Sequence, residues 1–184
     1  GSATPALMET PKEDKYFETV DNILLVSNED ALEAMKQEAE DQGYKTEVCT
    51  TCLTGEAREV AVEIVKKLHK SENKSTLLYG GETTVTVKGG GEGGRNQELA
   101  ATAITEIEKG EVIISLASDG RDNGEFAGAV VDIETKNKIS EKNIDLKEYL
   151  DHNNETPLFQ QTGGLIITNH TGSNVSDLII ALKE

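Results

Sequence analysis

The residues best suited to chemistry in this sequence gather in one stretch, VKGGGEGGRNQELA (Val87–Ala100), which places five glycines in six positions ahead of an arginine and a helix-like run. Glycine inside regular structure costs roughly 0.5–1 kcal/mol relative to alanine, so such a cluster implies positive φ or a group packed against bare backbone. Gly89, Gly91 and Gly94 satisfy G-x-G-x-x-G, while Gly89–Gly94 followed by Arg95 and Asn96 departs by one residue type at each of the last two places of G-x-x-x-x-G-K-[ST]. Both patterns share one physical content: bare backbone N–H groups meeting a helix N-terminus, which favours an anion. Gly89, Gly90, Gly91, Gly93, Gly94 and Asn96 are therefore candidate phosphate- or substrate-binding positions. Arg95 is the candidate charged partner, since its planar fork suits carboxylate and phosphate.

Three segments that read as strands end in polar or glycine-rich text: LLYGGET (77–83), SLASDGRDN (115–123) and IITNHTGSN (166–174). Ordinary turns use the same residues. In open α/β sheets, however, ligands collect outside the carboxyl ends of the parallel strands, and three such loops on one edge make a site. Asp119 and Asp122 lie beside Arg121, where carboxylates can hold Mg²⁺ or accept a hydroxyl proton, or simply form a turn with a local salt bridge. Glu82 is a candidate metal or ribose contact and equally an exposed acid, and His170 is either a proton shuttle or a solvated loop residue. Cys49 and Cys52 form a C-x-x-C, but no helix opens there and no further ligands accompany them, so they read as a reduced pair at a strand end.

The elements that must position these residues follow from composition and periodicity. At 184 residues the chain fits one domain, with a core of Leu, Ile, Val and Ala. Its net charge of -16 opposes tracking along a phosphate backbone, so nucleic acid is not an expected partner. Only three of the 18 basic residues are arginines, Arg58, Arg95 and Arg121. Two of them sit in glycine-containing loops, which points to a small anionic ligand. No apolar run reaches the roughly 20 residues of a membrane span and no secretory segment opens the chain, so the expected location is cytoplasmic. The opening GSATPAL reads as an expression scar, giving a lead segment over residues 1–20 and a domain over 21–184.

Within that domain Ile23–Val26 reads as a buried strand, followed by a helix capped by Ser27 with Asp30 and ended by Gly43. Tyr44–Val48 alternates as a strand, Thr54 opens a helix through Leu68, and Thr76–Tyr79 is a third strand. Further strands are expected at Thr83–Val87, Val112–Ala117, Ala129–Ile133 and Leu165–Thr168, with Asp177–Leu182 as an edge strand. A helix is expected over Asn96–Ile107, with weaker helical signals near Leu146 and Pro157. The β-α-β-α-β order predicts an α/β fold, a three-layer α/β/α arrangement with a mainly parallel, mixed central sheet.

The segments GGETTVTVKGGGEGGRNQELA, SDGRDN followed by AGAVVD, and TGSNVSDL, in that order, resemble the successive motifs of the MOFRL domain, the C-terminal part of glycerate 2-kinases, whose genes are often labelled hydroxypyruvate reductase. The resemblance spans about residues 8 to 184. It implies ATP-dependent phosphorylation of D-glycerate to 2-phosphoglycerate, with Mg²⁺, in a cleft shared with an N-terminal Rossmann-like domain that this chain lacks. On this resemblance Arg95 and Asp119 line the cleft as catalytic candidates. Arg121, Asp122, Thr171 and Asn174 join the substrate-binding candidates, and Asp119 and Glu82 are candidate Mg²⁺ ligands. The implied partners are glycerate, a nucleotide and the missing domain, with a homodimer left open and the fragment alone expected to be inactive. The stretch DNGEFAG is shorter than the family's usual link to the AGA motif. An NAD(P)-dependent hydroxypyruvate reductase-type enzyme and a non-catalytic ligand-binding or interaction module remain as alternatives.

Overall fold

The computed structural model describes residues 10–184, so much of the expected lead segment lies outside the described residues. After a single 3-10 turn at Asp14–Tyr16 come α1 (Asn28–Asp41), β1 (Lys45–Leu53), α2 (Ala57–His69), β2 (Ser75–Gly81), α3 (Arg95–Ala103), β3 (Glu111–Ala117) and β4 (Gly128–Asp132). The chain then runs through α4 (Ile133–Glu141), α5 (Leu146–Asp151), α6 (Glu155–Thr162), β5 (Leu165–Ile166) and β6 (Asp177–Lys183). The six strands form one sheet in the order β1-β2-β6-β3-β4-β5.

The fold is α/β with a mixed sheet, as the alternation of elements predicts, but its strands are not mainly parallel. Only β1 and β2 pair in parallel, and the pairs β2–β6, β6–β3, β3–β4 and β4–β5 are antiparallel. The reason lies in the connections. A parallel neighbour needs a crossover, and α2 supplies one between β1 and β2, whereas no helix separates β3 from β4. The last strand is not at the edge but in the centre, its apolar run DLIIALK filling the space between β2 and β3.

Alternation along the strands divides the two faces. Leu77, Tyr79, Ile113, Ile179 and Ala181 pack with α2 and α3 residues such as Ile64, Leu68, Leu99 and Ala103 in the main core. Leu78, Ile114, Ile180 and Leu182 face the other way, beside Ala34, Met35 and Ala39 of α1. The start of α1 is the expected capping box, Ser27 Oγ accepting from Asp30 N while Ser27 N donates to the Asp30 carboxylate (2.8 Å).

Ile23–Val26 is not a strand, and its side chains are exposed, from 57% at Val26 to 86% at Leu25. The free edge of the sheet on the side where α1 packs is β1. With β1-α2-β2 in the usual right-handed sense, a strand outside β1 would need its connecting helix on the α2 face. Because α1 lies on the opposite face, that edge is reached only by a left-handed crossover. Thr83–Val87 also fails to form a strand, leaving a single bridge between Thr84 and Glu56. The Glu56 carboxylate takes the Thr86 N–H (3.1 Å) that a ladder would otherwise use, and the Thr86 hydroxyl (3.1 Å) as well.

Candidate functional site

The three polar strand ends converge. Because β6 runs antiparallel to its neighbours, its first residue, Asp177, sits opposite both Gly81 at the end of β2 and Ala117 at the end of β3. The loop before β6 meets the loop after β3: Thr171 Oγ1 donates to Ser118 O (2.7 Å), and Asn174 Nδ2 donates to Asp119 Oδ2 (3.2 Å). Asp119 Oδ1 accepts from Arg121 N (3.0 Å), and the chain can turn there because Gly120 has φ +90 and packs against Asn169 O. Asp119, Thr171 and Asn174 thus form one cluster. His170 is exposed in the same loop, and the exposed Arg121 guanidinium has no ion-pair partner among the described residues.

Arg95, the first residue of α3, reaches across to this strand end. Its Nε and Nη2 grip the two Asp177 carboxylate oxygens (2.6 and 3.0 Å), and its Nη1 meets Glu82 Oε1 (2.9 Å). Asp177 is buried and Glu82 exposed, so the guanidinium is anchored at one end and open to solvent at the other. The hydrogen bond to Asp177 pushes the Arg95 pKa up further, keeping a fixed positive charge here. Asp177 is a site residue that the sequence motifs do not single out. Its only signal is an acid directly preceding an apolar strand.

The glycine loop has a different explanation from a ligand lying on it. None of Gly89–Gly94 has a positive φ. Instead a Cβ at Gly89 would strike the His152 backbone, one at Gly91 the His152–Asn154 segment, one at Gly93 the Glu155 carboxylate and one at Gly94 Asp122. Gly90 alone in the run meets nothing within 4 Å. The helix N-terminus is also filled from within. Asn96 N and Gln97 N donate to the two oxygens of Asp122 (3.1 and 2.9 Å), which is 3% exposed. The anion seat that the sequence suggests is taken by the chain's own carboxylate, and Asp122 is a helix cap. Asn96 is equally internal, its side chain bonding Asp122 and accepting from Ser115 Oγ (2.6 Å). Burial raises the Asp122 pKa, against the lowering effect of the N–H groups it accepts.

Between the 82–87 segment and the glycine loop lies a cavity of about 480 Å³ reached by Glu82, Arg95, Glu98, Asp122 and Glu155. A second cavity of about 450 Å³ lies on the other side of the loop, under Glu125, Phe126 and Gln160. Of the four acids, Glu82 pairs with Arg95, Glu98 with Arg58, and Asp122 caps α3. Among the described residues the one group of three or more metal-type ligands within 4.8 Å is His69, Glu108 and Glu111, at the opposite end of the sheet. There Lys183 Nζ, 3.7 Å from Glu111, already supplies positive charge. Asp119 and Glu82 do not belong to such a group. The half-buried Asp119 carboxylate accepts from Arg121 N and Asn174 Nδ2, and its remaining lone pairs could serve Mg²⁺ held through one carboxylate and water.

Cys49 and Cys52 lie within β1 rather than at a helix start, and Cys49 Sγ takes a hydrogen bond from Lys67 Nζ (3.1 Å). No helix among the described residues is long and apolar enough to cross a membrane.

The MOFRL family model matches residues 75–177. The chain is 39% identical to the glycerate 2-kinase of Pyrococcus horikoshii, over 95% of this chain and 41% of that one. It is 36% identical to the D-glycerate 2-kinase of Thermotoga maritima, over 96% of this chain and 44% of the relative. The crystal structure of glycerate kinase from Thermotoga maritima superposes with a TM-score of 0.83 at 35% identity, covering 86% of this chain and 41% of that one. The chain spans about two fifths of the length of these relatives.

Proposed function

The chain belongs to the MOFRL family, and from that premise we propose that it is the C-terminal part of an ATP-dependent glycerate 2-kinase, supplying one wall of an active site completed by an N-terminal Rossmann-like domain. The observation that carries this reading is the meeting of Arg95, Glu82 and the Asp119–Asn174 cluster at one end of the sheet, in a chain whose relatives are named glycerate 2-kinase. Arg95, held by Asp177, offers a pre-oriented charge to the glycerate carboxylate or to a phosphoryl oxygen. Asp119 is fixed by Asn174 and the Arg121 N–H so that it can accept the hydroxyl proton or hold Mg²⁺. Bound at this carboxylate, Mg²⁺ would neutralise phosphoryl charge, which phosphoryl transfer needs more than covalent groups. Thr171 holds the loop that carries Asn174, and Arg121 stands free for a second anionic contact.

In this reading the protein works in the cytoplasm on glycerate and a nucleotide. The reductase alternative asks the glycine-helix N-terminus to receive a pyrophosphate, and Asp122 occupies that place. The test is a coupled ADP-release assay on the full-length enzyme with D-glycerate, ATP and Mg²⁺, with the product identified as 2-phosphoglycerate. Oxidation of NAD(P)H with hydroxypyruvate and no ADP release would replace this reading with the alternative.

A further inference from the structure

Glu155, the first residue of α6, is 1% exposed, and its Oε1 has no hydrogen-bond partner. The other carboxylates around it are engaged. Glu98 accepts from Arg58 Nε (2.8 Å) and Asn153 Nδ2 (2.9 Å), and Asp122 caps α3. Directly over Glu155 lies the glycine loop, with Gly93 so close to Oε2 that no side chain fits between them.

The loop is held to the start of α6 by backbone contacts rather than by apolar side chains. Gly91 N donates to His152 O (3.0 Å) and Thr156 N to Glu92 O (2.8 Å), while Lys88 N and Gly89 N share Asn153 Oδ1 (2.7 and 3.1 Å). Gly91 and Gly93 line both cavities, so the loop is the wall between them.

We propose that Glu155 is a proton-controlled latch: as a neutral acid it lets Gly89–Gly94 lie closed over α6, and on losing its proton to solvent it lifts the loop and joins the two cavities. A carboxylate this buried, with Oε1 unpartnered, must be solvated once it is charged, and the glycine loop packed against Oε2 is a cover held by hydrogen bonds of its own backbone. The charged groups facing it are Glu98 on α3, Asp122 from the loop after β3 and Arg58 on α2; Arg58 is already shared with Glu98 and, at 3.9 Å, Asp151 at the end of α5. Arg95 is committed to Asp177 and Glu82. Burial pushes the Glu155 acid up to about 8 against the hydrogen bond from its own backbone N–H, with Glu98 and Asp122 adding to the rise and Arg58 opposing it. The folded value is raised, so the closed state has its full stability below the ordinary carboxylate range and loses it as pH climbs through about 8. The latch stands apart from the kinase reading, since it needs no substrate.

The test follows the glycine Cα signals of the 184-residue protein, labelled with carbon-13 at glycine, across neutral to alkaline pH. The latch predicts that Gly89, Gly91 and Gly93 move together with one shared midpoint no higher than about 8, the change levelling off above that pH. In Glu155→Gln they hold their low-pH positions throughout. Glycine signals that do not titrate in the wild type, or that titrate equally in Glu155→Gln, overturn the proposal. Should the variant not fold, carboxyl-labelled wild type decides: a glutamate signal titrating near the same midpoint supports the latch, and its absence rejects it.

Discussion

Arg95 makes three contacts to two acids, and only one of those acids is buried, so its removal has two separable effects. In Arg95→Ala the Asp177 carboxylate stays buried and unpaired. The fold should lose roughly 2–4 kcal/mol, less than a fully buried pair because Arg95 is itself a third exposed, and a denaturant titration reads this directly. If Arg95 also binds substrate, Arg95→Lys, which keeps the charge but not the fork, should lower kcat/KM of the full-length enzyme about ten- to a hundredfold while leaving most of the stability. Lys88→Ala, an exposed charge two residues before Gly90, should change neither measurement. Parallel behaviour of the Arg95 and Lys88 variants in folded enzyme would remove Arg95 from the site. The glycines give a sharper residue-level test. Gly90→Ala should be neutral within about 0.5 kcal/mol, whereas Gly93→Ala, which meets Glu155, should cost roughly 1–3 kcal/mol in thermal unfolding. Equal effects would contradict the packing explanation of the loop.

Among the elements, α3 depends on a cap delivered from another part of the chain. Asp122→Ala should cost about 1–2 kcal/mol and weaken amide protection at Asn96 and Gln97 first. Loss of stability spread evenly over the fold would argue against a capping role. This contrast shows which features are legible in the sequence. The Ser27–Asp30 box closes within one turn and is readable as text, as is the amphipathic stripe of α2. The Asp122 cap and the Glu155 contact join segments far apart in the chain, so local pattern shows an arginine and glycines with no indication that the chain fills its own loop. The strand at Ile23–Val26 has the right residue types, but whether a strand finds an edge is decided by crossover handedness and the side on which α1 packs. The central place of β6 is likewise a property of strand order. Its apolar run alone hints at it. The convergence of the three strand ends was readable in outline, because polar text closing apolar runs survives the change from parallel to antiparallel pairing.

At the scale of the whole molecule, one end of the sheet gathers Arg95, a third exposed, with acids arranged around it, while the chain covers about two fifths of the length of its relatives. Both facts fit a site with one wall here and the rest on another domain. The most direct measurement is D-glycerate-dependent ADP release from ATP and Mg²⁺, made side by side on the 184-residue chain and on the full-length enzyme. The account predicts turnover to 2-phosphoglycerate by the full-length enzyme and none measurable by the 184-residue chain, although that chain is folded. Robust turnover by the 184 residues alone, or a folded full-length enzyme that releases no ADP with glycerate, would contradict it.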